Sequence, residues 1–135
     1  MEKEGIQRDI ALLQGYQERM DAVYQQVEVI EELVAEYRRA RATLEEIGKA
    51  EKGRNFLVPI GGNIFLHASL EDNSTVLTGI GRNVLVEKSV TKALEFIDKR
   101  IEDFLKEEER LIKISQEIKE KVDELAKKLQ AKEQD

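Results

Sequence analysis

Few residues in this chain could do chemistry. His67 is the only histidine among 135 residues. A catalytic imidazole needs a nucleophile and an orienting carboxylate, and a metal-binding one needs further ligands at a fixed spacing. Neither accompanies His67, which lies in an alternating strand pattern with Ser69 and Glu71 on its own face. It reads as a surface or interface strand residue. Carboxylates cluster at Glu45-Glu46 and Glu107-Glu108-Glu109, but acid–base work requires a desolvated cleft that shifts a pKa. These runs fall on helical patterns and read as solvated charge. Gly61-Gly62-Asn63 and Gly79-Ile80-Gly81 are glycine-rich, yet a phosphate loop opens a helix and both of these lead into strands. Tyr16, Tyr24 and Tyr37 lie at or beside an apolar seam and read as packing residues. No catalytic, metal-binding or cofactor-binding residue is expected.

Composition points the same way. Charged residues make up 37% of the chain and aromatics 5%, with no Trp. That balance suits long solvated helices better than a thick globular core. The formal net charge is −6 and the two signs are interspersed, so there is no basic face for nucleic acid. No cysteine is present, which excludes disulfides and thiolate chemistry. The amino terminus, Met1-Glu2-Lys3-Glu4-Gly5, has no signal-peptide pattern, and no apolar run has the length of a membrane span. A soluble, cytoplasmic protein without membrane contact is expected. Abundant Glu and Lys, with no Cys and two Met, is a thermophile-like usage.

The elements are legible from periodicity. From Ile6 to Ile47 there is no proline, and Gly15 is the one interior glycine. Ile6, Leu13, Met20, Val27 and Val34 recur every seven residues, as do Tyr16, Val23, Ile30, Tyr37 and Leu44. The two series are offset by three, the a/d spacing of a heptad. Asp9 and Arg41 fall on seam positions and weaken the pattern at its ends. This predicts a first helix over 1–50. A second is predicted over 89–135, with Ser89 as N-cap and Lys92 where the capping box would need Glu or Gln. Its seam runs Leu94, Ile97, Ile101, Phe104, Leu111, Ile118, Val122, Leu125 and Leu129, interrupted by Glu108 and Ser115. Ile112 and Ile114 broaden the apolar face, and Gln130 to Asp135 is expected to fray. Helices of matched length imply an antiparallel hairpin with both chain termini at one tip.

Between the helices, Gly48 to Gly53 reads as a helix stop and linker, and the period then drops to two. Phe56, Val58 and Ile60 alternate before the Gly61-Gly62-Asn63 turn, followed by Ile64, Leu66, Ala68 and Leu70. The polar stretch Glu71-Asp72-Asn73-Ser74-Thr75 leads to Val76, Thr78 and Ile80, then Gly81-Arg82-Asn83 and Val84-Leu85-Val86. This predicts two β-hairpins over 54–88. Leu57, Phe65, Leu77 and Leu85 have the opposite parity, so both faces are partly apolar. Such strands are hazardous unless paired, and obligate oligomerisation is expected. Its interface would comprise Phe56, Leu57, Val58, Ile60, Ile64, Phe65, Leu66, Val76, Leu77, Ile80, Val84, Leu85 and Val86. A second candidate surface lies near the termini, where Ile6, Ile10, Leu12 and Leu13 would face Leu125, Ala126 and Leu129. Ile6, Leu13, Leu125 and Leu129 read first as completing the seam, whereas Ile10 and Leu12 flank it.

The stretch Leu57-Val58-Pro59-Ile60-Gly61 with Phe65-Leu66, then Gly79-Ile80-Gly81 and Val84 to Ser89, resembles the α-class subunits of the prefoldin (GimC) cochaperone of archaea. The Leu-Val-Pro run and the Val-Glu-Lys-Ser exit into the second helix carry the likeness most specifically. Family members have small residues around the two turns, where this chain has Asn63 and Arg82-Asn83. The resemblance implies an α+β, prefoldin-like fold: one domain over 1–135, a long antiparallel coiled-coil hairpin with two small β-hairpins at its base, closing into a β-barrel on oligomerisation. It further implies an ATP-independent holdase subunit in a hetero-hexamer of two α-class and four β-class subunits. Unfolded polypeptide would be captured at the coil tips and passed to a group II chaperonin. The alternative is an α-class paralogue acting mainly as a structural homo-oligomer or filament.

Overall fold

The computed structural model describes residues 2–133. Helix α1 spans Glu2–Lys49 and helix α2 spans Val90–Glu133. Four strands lie between them: β1 (Asn55–Gly61), β2 (Ile64–Ser69), β3 (Thr75–Gly81) and β4 (Val84–Ser89). The expected order of helix, two hairpins and helix is therefore present. Two boundaries differ. Gly48 is helical rather than a stop, and the chain reverses at Gly53, whose φ of +83° lies where only glycine is comfortable. Helix α2 continues through Gln130 to Glu133 where fraying was expected; Met1, Gln134 and Asp135 lie outside the described residues.

The chain divides into two compact units. The first comprises the residues up to Val34 and those from Asp103 onward. Within it, Asp9 lies 3.6 Å from Lys128 and 3.3 Å from Lys132, while Lys121 sits 5.8 Å from the Tyr16 ring centre. Partner numbers fall as residue numbers rise, so the helices run antiparallel. The heptad apolar positions meet along this pairing, burying Val23, Ile30 and Val34 of α1 and Leu111 and Ile118 of α2. Burying such a side chain stabilises by about 1.5–3 kcal/mol. No side chain among the described residues is completely enclosed, because a pair of helices leaves its seam open along both flanks.

The second unit spans Ala35–Glu102. Here too the helices are antiparallel. Arg41 donates to Asp98 at 2.6 Å, and a Cβ placed on Gly48 would lie 3.3 Å from Val90 Cγ1. Ala93 and Ile97 are buried. Ala93 is off the predicted seam; it is hidden because its small side chain lines a groove shared with Tyr37, Val76 and Phe96. Loop residues tie the strands to the helix ends. Asn73 Nδ2 donates to the Ala50 carbonyl at 2.7 Å, and the Val90 N–H donates to the Ser74 carbonyl at 2.9 Å. Ser89 Oγ accepts the Lys92 N–H at 3.1 Å, the half-capping interaction expected from the sequence. Asp72 organises the turn before β3, accepting from Thr75 Oγ1 at 2.6 Å and from Ser74 Oγ at 2.7 Å. These bonds, that from Thr75 first, lower its pKa to about 2.

The strands form two separate two-stranded ribbons, β1 with β2 and β3 with β4. They are built alike. Leu57, Ile60, Gly61, Asn63 and Ser69 recur twenty residues later as Leu77, Ile80, Gly81, Asn83 and Ser89. Each ribbon has a register shift at the isoleucine before its turn, between Pro59 and Gly61 and between Gly79 and Gly81. Pro59 has no N–H to donate, and the irregularity beside it is where a strand accommodates that loss. Both turns need two successive residues of positive φ, as hairpins with right-handed twist do. Gly62 and Asn63 supply 60° and 60°; Arg82 and Asn83 supply 46° and 62°. Asparagine tolerates this region and β-branched residues do not. Asn83→Val is expected to destabilise the chain by about 1–2 kcal/mol in denaturant unfolding, and Asn83→Gly to leave it unchanged within the error of that measurement.

Candidate functional site

Two surfaces hold the residues singled out by the sequence. The first is on the ribbons. Phe56, Leu57, Val58, Ile60, Ile64, Phe65, Leu66, Leu77, Ile80, Val84, Leu85 and Val86 are all exposed, from 36% at Val86 to 66% at Leu77. Val76 alone among the proposed interface residues is half-buried, where it lines a groove of about 490 Å³ with Tyr37, Leu44, Phe96 and Ile97. Register explains why both faces are apolar. Phe56 pairs with Ala68 and Val58 with Leu66 on one face, while Pro59 pairs with Phe65 on the other. In the second ribbon Thr78 pairs with Val86 and Gly79 with Leu85. Since each ribbon has two strands, every strand is also an edge with a row of unpaired backbone donors and acceptors. His67 lies opposite Leu57 and is exposed.

The second surface is in the unit containing the chain termini. Ile6, Leu13, Leu125 and Leu129 are half-buried in the seam, whereas Ile10, Leu12 and Ala126 are exposed. Leu12 and Leu125 line a shallow hollow with Tyr16, Lys121, Glu124 and Lys128. Asp9, which interrupts the heptad pattern, is buried among them at 6% exposure. Its carboxylate is held by Lys128 and Lys132, whose long stems reach the seam while their ammonium groups stay in water. Two other seam interruptions are also satisfied. Arg41 binds Asp98 and Glu45, Asp98 foremost, which raises its pKa further above the usual arginine range, and Ser115 Oγ donates to the Ile112 carbonyl at 2.6 Å.

Tyr24 does not pack as expected. It is 53% exposed, because its position, four residues after Met20, lies on the flank of the seam. Val29, Leu105 and Ile112 are exposed on the same unit. Of these, only Ile112 stood out in the sequence, as a residue off the narrow stripe. Heptad position would have found the others. Among the described residues no group of three or more His, Cys, Asp or Glu is placed to hold a metal, and no helix is long and apolar enough to cross a membrane.

A polar residue in a seam sets register at some cost in stability. Replacing Asp9 by Leu is expected to slow amide hydrogen exchange around residues 6–16 and 121–129. Asp9→Asn, which leaves a polar group with weaker partners, is expected to accelerate it.

Comparison with known proteins gives consistent results. A family model described as prefoldin subunit matches residues 16–135. The prefoldin subunit alpha of Archaeoglobus fulgidus is 30% identical over 133 residues, covering 98% of this chain and 96% of that protein. Filamentous PFD from Methanocaldococcus jannaschii, solved by cryo-electron microscopy, superposes with a TM-score of 0.75 at 22% identity, over 85% of this chain and 95% of that one. The crystal structure of the prefoldin beta subunit from Thermococcus strain KS-1 superposes with a TM-score of 0.62 at 19% identity, covering 94% and 90%.

Proposed function

The chain belongs to the prefoldin family of chaperone subunits, and from that premise we propose that it is an α-class subunit of an ATP-independent, cytoplasmic holdase. In this reading it assembles with β-class subunits, two α to four β. The complex takes up unfolded polypeptide and hands it to a group II chaperonin, without cofactor or catalysis. The observation that carries the reading is the apolar surface left uncovered on both faces of both ribbons. An isolated two-stranded ribbon is marginal in water, and pairing its edges with strands of other subunits satisfies backbone and side chains together. A closed barrel is the arrangement that leaves no edge.

Client capture is assigned to the other unit. Exposed apolar groups such as Ile10, Leu12 and Ala126 bind weakly one at a time. Several such ends on a common base bind together, because each first contact raises the effective concentration of the rest. Tolerance of many clients follows, since exposed apolar surface is common to all unfolded chains.

Two experiments test the two surfaces separately. Removing residues 1–10 and 126–135 is expected to abolish suppression of aggregation of a denatured enzyme without nucleotide, while the particle mass stays unchanged; full protection by the truncated protein refutes capture at this end. Charged replacements at Val58, Leu66 and Val86 are expected to reduce the native mass to that of free subunits. Native mass spectrometry of the chain alone and with a β-class partner reads that loss, and also distinguishes a hetero-hexamer from a homo-oligomer or filament.

A further inference from the structure

The unit containing the termini has a second uncovered apolar surface, on the flank that carries Ile10 and Ala126 but two heptads further along each helix, about 20 Å away. Tyr24 (53% exposed), Leu105 and Ile112 lie outside the seam. Each follows a seam position by four residues: Met20, Ile101 and Glu108 respectively. They therefore share one flank of the heptad. The antiparallel pairing places like flanks side by side. This is visible on the opposite flank, where Gln26 and Val29 share a groove with Glu107 and Leu111. The same pairing sets Tyr24 level with the Ile112 turn, and Leu105 lies about 10 Å further along α2. The three side chains form one strip across the two helices.

The charge around this strip is uniformly negative on α1 and mixed on α2. From Met20 to Val34, α1 carries four carboxylates and no Lys or Arg. Glu31 follows Val27 by four residues and so occupies the same row as Tyr24; Glu28 is beside that row. Glu109 borders Leu105 and Ile112 on α2, where Lys106 follows Leu105 and the exposed Lys113 lies 3.8 Å from Glu109. Arg110 faces the other flank and is held by Glu107 at 3.0 Å. On the strip's own rows the first bases are Lys119, one heptad beyond Ile112, and Arg38, one heptad beyond Glu31.

We propose that this flank is a docking surface for a cationic amphipathic segment of a client polypeptide, with apolar residues one heptad apart set between Lys or Arg. The strip offers apolar contact, and the bordering carboxylates select the charge. A second copy of this chain would set acid against acid, and nucleic acid or an anionic membrane would be repelled. Naming the occupant as a client rests on the capture reading above, but the surface and its charge preference do not. The flank would hold basic segments that the terminal apolar groups, with Lys128 and Lys132 among them, disfavour.

The test is fluorescence anisotropy of a labelled Leu/Lys amphipathic peptide, and of its Glu-for-Lys counterpart, against the full-length chain in its assembled form. The Lys peptide is expected to bind more tightly and to weaken with added salt. The triple variant Glu28→Gln/Glu31→Gln/Glu109→Gln is expected to lose roughly tenfold in affinity and most of the salt dependence. Leu105→Gln/Ile112→Gln is expected to reduce binding of the Lys peptide similarly, whereas Ile10→Ser/Leu12→Ser should not. Thermal melting checks the fold of each, and should the Leu105/Ile112 pair melt early, the triple variant decides, since it changes only exposed carboxylates. Equal binding of the two peptides, or unchanged affinity in the triple variant, overturns the proposal. If the peptide results hold but the assembled protein fails to suppress aggregation, the capture reading fails and the docking surface stands.

Discussion

A two-stranded antiparallel ribbon cannot cover either of its own faces or satisfy either of its own edges. That constraint organises everything between the two helices. Phe56, Leu57, Val58 and Phe65 in one ribbon, and Leu77, Leu85 and Val86 in the other, are apolar on surfaces that nothing in the single chain can hide. The rest of the second unit holds these ribbons ready rather than burying them. Asn73 and Ser74 bind the helix ends, Asp72 fixes the turn into β3, and β4 passes into α2 at Ser89 without a linker. The twenty-residue recurrence means that a single solution for turn, bulge and apolar parity is used twice.

The seam shows the complementary trade. A strictly apolar heptad repeat would pack more tightly but would tolerate sliding by whole heptads, since each layer would look like the next. Asp9, Arg41 and Ser115 break that equivalence. Asp9 is satisfied where Lys128 and Lys132 are within reach, and Arg41 where Asp98 is. A slip by one heptad would take Asp98 from Arg41 and at least one lysine from Asp9, whose buried carboxylate is costly to leave poorly paired. The exposed Arg41–Asp98 pair adds little stability; its effect, like that of the Asp9 pairs, is on which pairing of the helices is allowed.

Most of the fold was legible because its elements repeat with clear periods. The seam residues, the Ser89 cap and the two turns follow from spacing and from the positive-φ tolerance of Gly and Asn. What stayed hidden depended on contacts distant in sequence. Asp9 and Arg41 looked like flaws because their partners lie on the other helix. Gly48 looked like a stop because a helix end depends on what caps it, here Asn73 reaching back to Ala50. Ala93 looked unremarkable because its burial depends on β3 lying across it. Tyr24 looked like a packing residue because it stands beside the seam, but four residues after Met20 it falls on the open flank. Bulges at Ile60 and Ile80 were invisible, since a register shift is a property of the pair of strands.

The two kinds of uncovered apolar surface also differ in backbone chemistry, and this bears on what each can select. On the ribbons, apolar side chains come with unpaired N–H and C=O groups at fixed spacing. A partner must present a strand in register as well as matching side chains, so the contact is directional and admits few partners. On the helices, every interior backbone group is already bonded within the helix. Only side chains remain to recognise anything, so contact there is undirected and tolerant. Charge is then the one remaining means of discrimination, and along α1 from Met20 to Val34 that charge is uniformly negative. Under the function proposed above, strands suit assembly with a few partners and helix flanks suit binding of many others.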